Sequence, residues 1–168
     1  MSGDDSLRTV ASSARRFLET VWPGWRLEKQ QRHGHPVPVI MSYSMCARSS
    51  TFVQKALHDF GMVAEVRHGW FQAERAAAPS GADNRHTWVV SGPWFIDVTA
   101  DQFGADEVIV TDQSDCRYFS DVDVALPEFR LLRIQSVLEI WDRWLWSPMR
   151  EKLVADLGAY GNEGGISL

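Results

Sequence analysis

The chain has 168 residues, with 17 Lys and Arg against 22 Asp and Glu, for a net charge of −5. That balance gives no electrostatic ground for holding nucleic acid or an anionic membrane surface. Hydrophobic residues at 45% and charged residues at 23% argue against a fibre or wholesale disorder, and no apolar run nears the roughly 20 residues that cross a bilayer.

One domain over residues 1–168 is expected at this length. The start MSGDDSLRTV is acidic and polar, unlike a secretory leader, so the chain reads as cytoplasmic, although export by a non-Sec route would leave no such mark. Cys46 and Cys116 are too few for a disulfide framework or a Cys-rich metal site. The His residues at 33, 35, 58, 68 and 86 show neither HExxH nor zinc-type spacing. No metal or cofactor is therefore expected, and His33 and His35 beside Gly34 read as solvated loop residues.

Leu7, Val10, Ala14, Phe17, Leu18 and Val21 recur at helical spacing, and Pro23-Gly24 reads as the stop. Leu27 to Pro38 reads as an extended connection. Val39 to Cys46 passes from apolar residues into a small polar turn, and Phe52, Val53, Ala56, Leu57 and Phe60 then form a helical stripe. Cys46 is thus placed at the start of a helix, with Gly61 closing it. Met62 to Phe71 alternates as a strand, and Ala73 to Asn84 reads as a loop.

His86-Thr87-Trp88-Val89-Val90 and Trp94-Phe95-Ile96-Asp97-Val98 are β-branched and aromatic, and Ser91-Gly92-Pro93 between them predicts an antiparallel hairpin. Val108 to Val110 adds a strand, and Thr111 to Asp123 reads as irregular. Leu131, Leu132, Ile134, Val137, Leu138, Trp141, Trp144 and Leu145 predict a long helix broken at Ser147-Pro148, with a short helix over 149–157 and a flexible tail over 158–168. The expected fold class is α+β.

A helix N-terminus favours a thiolate through its unpaired N–H groups and dipole, and an imidazole held by a third group can take the proton. Cys46, His86 and Asp97 fit those roles. A turn centred on Ser91-Gly92 pairs residues whose numbers sum to near 183, which sets His86 opposite Asp97. Asp101 is the alternative orienting group, and strand register favours Asp97.

The order Cys46-Ala47-Arg48-Ser49-Ser50, then His86-Thr87-Trp88, then Asp97 near the end of the following strand resembles the transglutaminase-like, papain-type cysteine hydrolase superfamily. The resemblance covers about Met41 to Gly104. It implies a nucleophile-bearing helix packed on an antiparallel sheet. It also implies that Cys46 attacks an acyl carbonyl, His86 acts as base and then acid, and Asp97 orients His86. The activity it suggests is that of a peptidase or glutamine deamidase on a peptide or protein. Transamidation or acyl transfer uses the same triad, and a non-catalytic binding module on the same scaffold is the rival.

Papain-type enzymes often carry a Gln a few residues before the Cys to stabilise the oxyanion, whereas residues 40–45 here offer only Ser42, Tyr43 and Ser44. The Cys46 N–H with one of the hydroxyls of Ser42, Tyr43 and Ser44, or the more distant Gln31, is the substitute considered. Trp88 and Trp94 are candidates for a substrate groove between the Cys46 helix and the hairpin, with at least one expected in the core. Cys116 reads as structural or incidental.

Overall fold

The computed structural model describes residues 3–34, 39–73, 84–120 and 127–162. Most of the predicted loop over 73–84, Pro36 and Pro38, and the end of the tail lie outside the described residues. The described elements are α1 (Gly3–His33), α2 (Cys46–Asp59), β1 (Glu65–Phe71), β2 (Arg85–Ser91), β3 (Trp94–Asp97), β4 (Ile109–Asp112), β5 (Tyr118–Ser120), α3 (Pro127–Leu145) and α4 (Pro148–Asn162). This is the expected α+β class.

The strands form an antiparallel sheet in the order β4-β3-β2-β1-β5. Strand side chains alternate between faces, so neighbouring residues on one strand enter different cores. Val89, Ile96 and Val110 join the helices in one apolar cluster. Trp88, Val90, Phe95 and Ile109 face the other way, where Phe71, Ala100 and Tyr118 complete a second.

The helical side is anchored by aromatic rings. Phe17 of α1 stacks on Phe52 of α2 at 5.3 Å, and Trp144 of α3 meets both rings edge-on at 5.3 and 5.4 Å. Such pairs add about 0.5–1.5 kcal/mol each beyond the area they bury. Trp22 Nε1 donates to Ser49 Oγ at 3.0 Å, which fixes α2 against α1.

Three expectations are corrected. Helix α1 does not stop at Pro23 but runs through it to His33, so Leu27 to His33 is helical rather than extended. Pro23 lacks the N–H for the carbonyl four residues back, and tertiary contacts offset the loss. Trp25 is buried, the Arg48 guanidinium lies 5.4 Å from its ring, and Arg48 pairs with Glu28 at 2.9 Å. Secondly, β5 falls within the stretch read as irregular, and it pairs with β1 through Gly69↔Ser120, Trp70↔Phe119 and Phe71↔Tyr118. At Gly69 an added Cβ would stand 1.9 Å from the Phe119 carbonyl oxygen, so this close pairing requires glycine. Thirdly, α4 continues beyond Leu157 to Asn162.

Candidate active site

Helix α2 begins at Cys46. No side chain caps it, and its first turn holds no acidic residue, so the positive end of the helix dipole is not neutralised locally. Residues four apart share a helix face, so Ser50 lies one turn below Cys46. The Ser50 hydroxyl donates to the Thr87 carbonyl at 2.8 Å. That single bond docks the Cys46 face of α2 on β2 at the residue next to His86.

The hairpin register differs from the expected one. Val89 pairs with Ile96, Val90 with Phe95 and Ser91 with Trp94, so paired numbers sum to 185 and the turn residues are Gly92-Pro93. Gly92 takes φ +53°, as the first central position of a two-residue hairpin turn demands. The shift is by two, the period of a strand, so His86 and Asp97 keep a common face and meet diagonally.

His86 Nε2 and Asp97 Oδ2 are 2.6 Å apart, and both side chains are withdrawn from solvent. Asp97 accepts three further hydrogen bonds. Tyr118 Oη donates to Oδ2 at 3.0 Å, and the Thr99 amide and hydroxyl donate to Oδ1 at 2.9 and 3.3 Å. Burial alone would push the Asp97 carboxyl up. The positive imidazole and these donors instead hold it below the usual carboxylate range.

The other ring nitrogen, Nδ1, is buried and has no hydrogen-bond partner among the described residues. It is the ring nitrogen not committed to Asp97, and the Cys46 side chain is partly buried. No aligned hydrogen bond joins the two, yet each shifts the other's titration. Burial opposes the charged forms of both. The pull of His86, helped by Thr87, still brings the Cys46 thiol below its ordinary value of 9.0. Asp97 and Cys46 together raise His86 to about 10. Both shifts favour the thiolate and imidazolium forms of the pair over the neutral ones.

Asp101, the alternative orienting group, is engaged elsewhere. Arg15 holds it through two parallel bonds of 2.8 and 3.0 Å and also donates to the Val98 carbonyl at 2.7 Å. This clamp fixes the turn after Asp97 to α1.

The oxyanion and substrate candidates separate as follows. Trp88 is fully buried in the second core, so it cannot line a substrate groove. Its ring instead stacks near His86, with centroids 6.2 Å apart. Trp94 packs against the helical core. Tyr43 and Ser44 are exposed, while Gln31 is exposed on α1 and takes no part in the cavity wall beside Cys46. Ser44 has φ +59°, uncommon for a side-chain-bearing residue, and its N–H donates to Gln102 Oε1 at 3.2 Å. Gln102 Nε2 in turn donates to the Thr99 carbonyl at 2.8 Å, so one side chain links the turn before Cys46 to the turn after Asp97. The cavity beside Cys46 lies between α1, α2 and α3, not between α2 and the hairpin.

No family model, no curated protein and no solved structure matches this chain. The site must therefore be judged on its own geometry. Among the described residues no helix is long and apolar enough to cross a membrane, and no group of three or more His, Cys, Asp and Glu is placed to hold a metal.

Sequence reasoning missed Thr99, Tyr118, Gln102 and Ser50. Thr99 carries a local signal, because an Asp accepting from the backbone two residues on is a common turn device. Ser50 was open to helical spacing from Cys46. Tyr118 and Gln102 carried no local signal, since only tertiary placement brings them to the site.

Proposed function

We propose that the chain is a thiol-dependent hydrolase of the transglutaminase-like, papain-type kind, acting on an amide bond of a peptide or protein. The observation that carries this reading is the division of labour on the His86 ring: Nε2 is committed to a buried carboxylate, and Nδ1 is left without a partner beside a thiol of lowered pKa at a helix start.

The Cys46 thiolate adds to the carbonyl carbon, and the oxyanion that forms is met by N–H groups at the start of α2. The C–N bond breaks as His86 gives its Nδ1 proton to the leaving amine. Water then attacks the thioester, His86 takes the water proton, and the C–S bond breaks to release the acid and restore the thiolate. Asp97 stays ionised throughout and holds the ring. An amine in place of water turns the same cycle into transamidation. Two unpaired cysteines, one of them exposed, suit a reducing compartment such as the cytosol.

The test is mass spectrometry of peptides and proteins incubated with the wild type and with Cys46→Ala. New termini, or Gln residues converted to Glu, should appear with the wild type alone. Products that persist with Cys46→Ala end the proposal. A folded wild type that retains ligands without converting them points to a binding module.

A further inference from the structure

The cavity next to Cys46 has a volume of about 440 Å³, and its wall includes Ser44–Met45 and Ala47–Arg48, the chain on either side of Cys46, but not Cys46 itself. Its charged lining is one-sided. Lys29, Arg32, Arg48 and Arg133 face it against a single carboxylate, Glu28. Glu28 is already shared, lying 2.7 Å from Arg32 and 2.9 Å from Arg48. Lys29 and Arg133 have no carboxylate partner among the described residues.

These two cations sit close to the chemistry. Burial pulls both below their ordinary values, and the negative charge of Cys46 pulls them back up. Arg133 also acts on His68 of β1. After burial, it is the main reason why His68 is lowered to about 4, with Arg130 and Arg85 adding to it. The rest of the cavity wall includes the buried Trp25 and the exposed Phe129 and Leu132, so the cations stand beside apolar surface at the edge of solvent. In a chain of net charge −5, such a concentration of positive charge beside the nucleophile calls for an anion to complete it.

We infer that this cavity is a substrate subsite for a carboxylate, so that the preferred substrate is an acidic peptide with its negative charge next to the amide that Cys46 attacks. The inference rests on Cys46 being the nucleophile. A Glu or Asp side chain and a free C-terminal carboxylate present the same chemistry. Either can meet Lys29 or Arg133 in the cavity that both line, beside the apolar Leu132 and Phe129.

Matched alkylating probes test it: N-chloroacetyl-glutamine amide, which is neutral, N-chloroacetyl-glutamate amide, with a side-chain carboxylate, and N-chloroacetyl-glutamine, with a terminal one. Labelling of Cys46 is followed by peptide mapping, with Cys116 as the internal reference. At low salt one or both anionic probes should label Cys46 about tenfold faster than the neutral probe, and the faster of the two identifies the source of the carboxylate. High salt should shrink the ratio. The Lys29→Gln and Arg133→Gln double variant should bring the ratio close to one, even as the loss of two cations near the thiolate slows labelling by all three probes. Fast labelling at equal rates by all three probes overturns the subsite and leaves the nucleophile standing. Labelling of Cys46 no faster than Cys116 by any probe overturns both.

Discussion

Asp97 Oδ2 accepts two hydrogen bonds at once, from His86 Nε2 at 2.6 Å and from Tyr118 Oη at 3.0 Å. The carboxylate that orients the imidazole is thus itself oriented from a strand at the far edge of the sheet. Asp97→Asn keeps the shape of the side chain and removes the charge that holds the ring as an imidazolium. Turnover of a substrate found by the proteomic test should fall by roughly 10²-fold or more, with substrate binding little changed. Steady-state kinetics check this, and near-normal turnover would show that Asp97 is only a packing group.

Tyr118→Phe removes one hydroxyl and keeps ring contacts with Phe71 at 4.9 Å and Trp88 at 5.1 Å. The lost bond was made to a buried charge, so the cost should be about 1.5–3 kcal/mol of unfolding free energy in urea titration. An unchanged midpoint would mean that the hydroxyl adds nothing to the Asp97 site.

Much of this arrangement was legible in the sequence. Helical spacing placed the start of α2 at Cys46, and alternation placed His86 and Asp97 on adjacent strands. The predicted register was off by two, yet the two side chains still meet because a shift of two preserves strand face. What could not be read depended on distant contacts. Pro23 is a helix stop by local propensity, and only the packing of Trp25 with Arg48, and of Arg48 with Glu28, shows why α1 continues. The three-residue β5 has no periodicity to detect, so Tyr118 could not be linked to Asp97. Trp88 resembled a groove residue because the second core on its face is built from Phe71, Phe95 and Tyr118, which come from three other strands.

The ion pair also sets how stability depends on pH. His86 is raised from 6.5 to about 10, so its contribution is fully present below 6.5 and is lost as pH rises through about 10. Cys46 is lowered from 9.0, so its contribution is fully present above 9.0 and is lost as pH falls through its folded value. Between the folded value of Cys46 and 9.0 the two slopes offset each other, and over that span this pair should give a plateau. Cys46→Ala removes the rising half, so stability should decline steadily across that window. Urea unfolding of both proteins at a series of pH values measures it, and parallel profiles would show that the thiol and the imidazole are not coupled.

The central claim is that His86 holds Cys46 as a thiolate, and the pH dependence of iodoacetamide alkylation measures this directly at each cysteine. Cys46 should alkylate with an apparent pKa below 9.0, ahead of Cys116 at mildly acidic pH, and His86→Gln should move that titration upward. Alkylation of Cys46 that begins only as the pH passes 9.0, no faster than Cys116 and unchanged by His86→Gln, would contradict it.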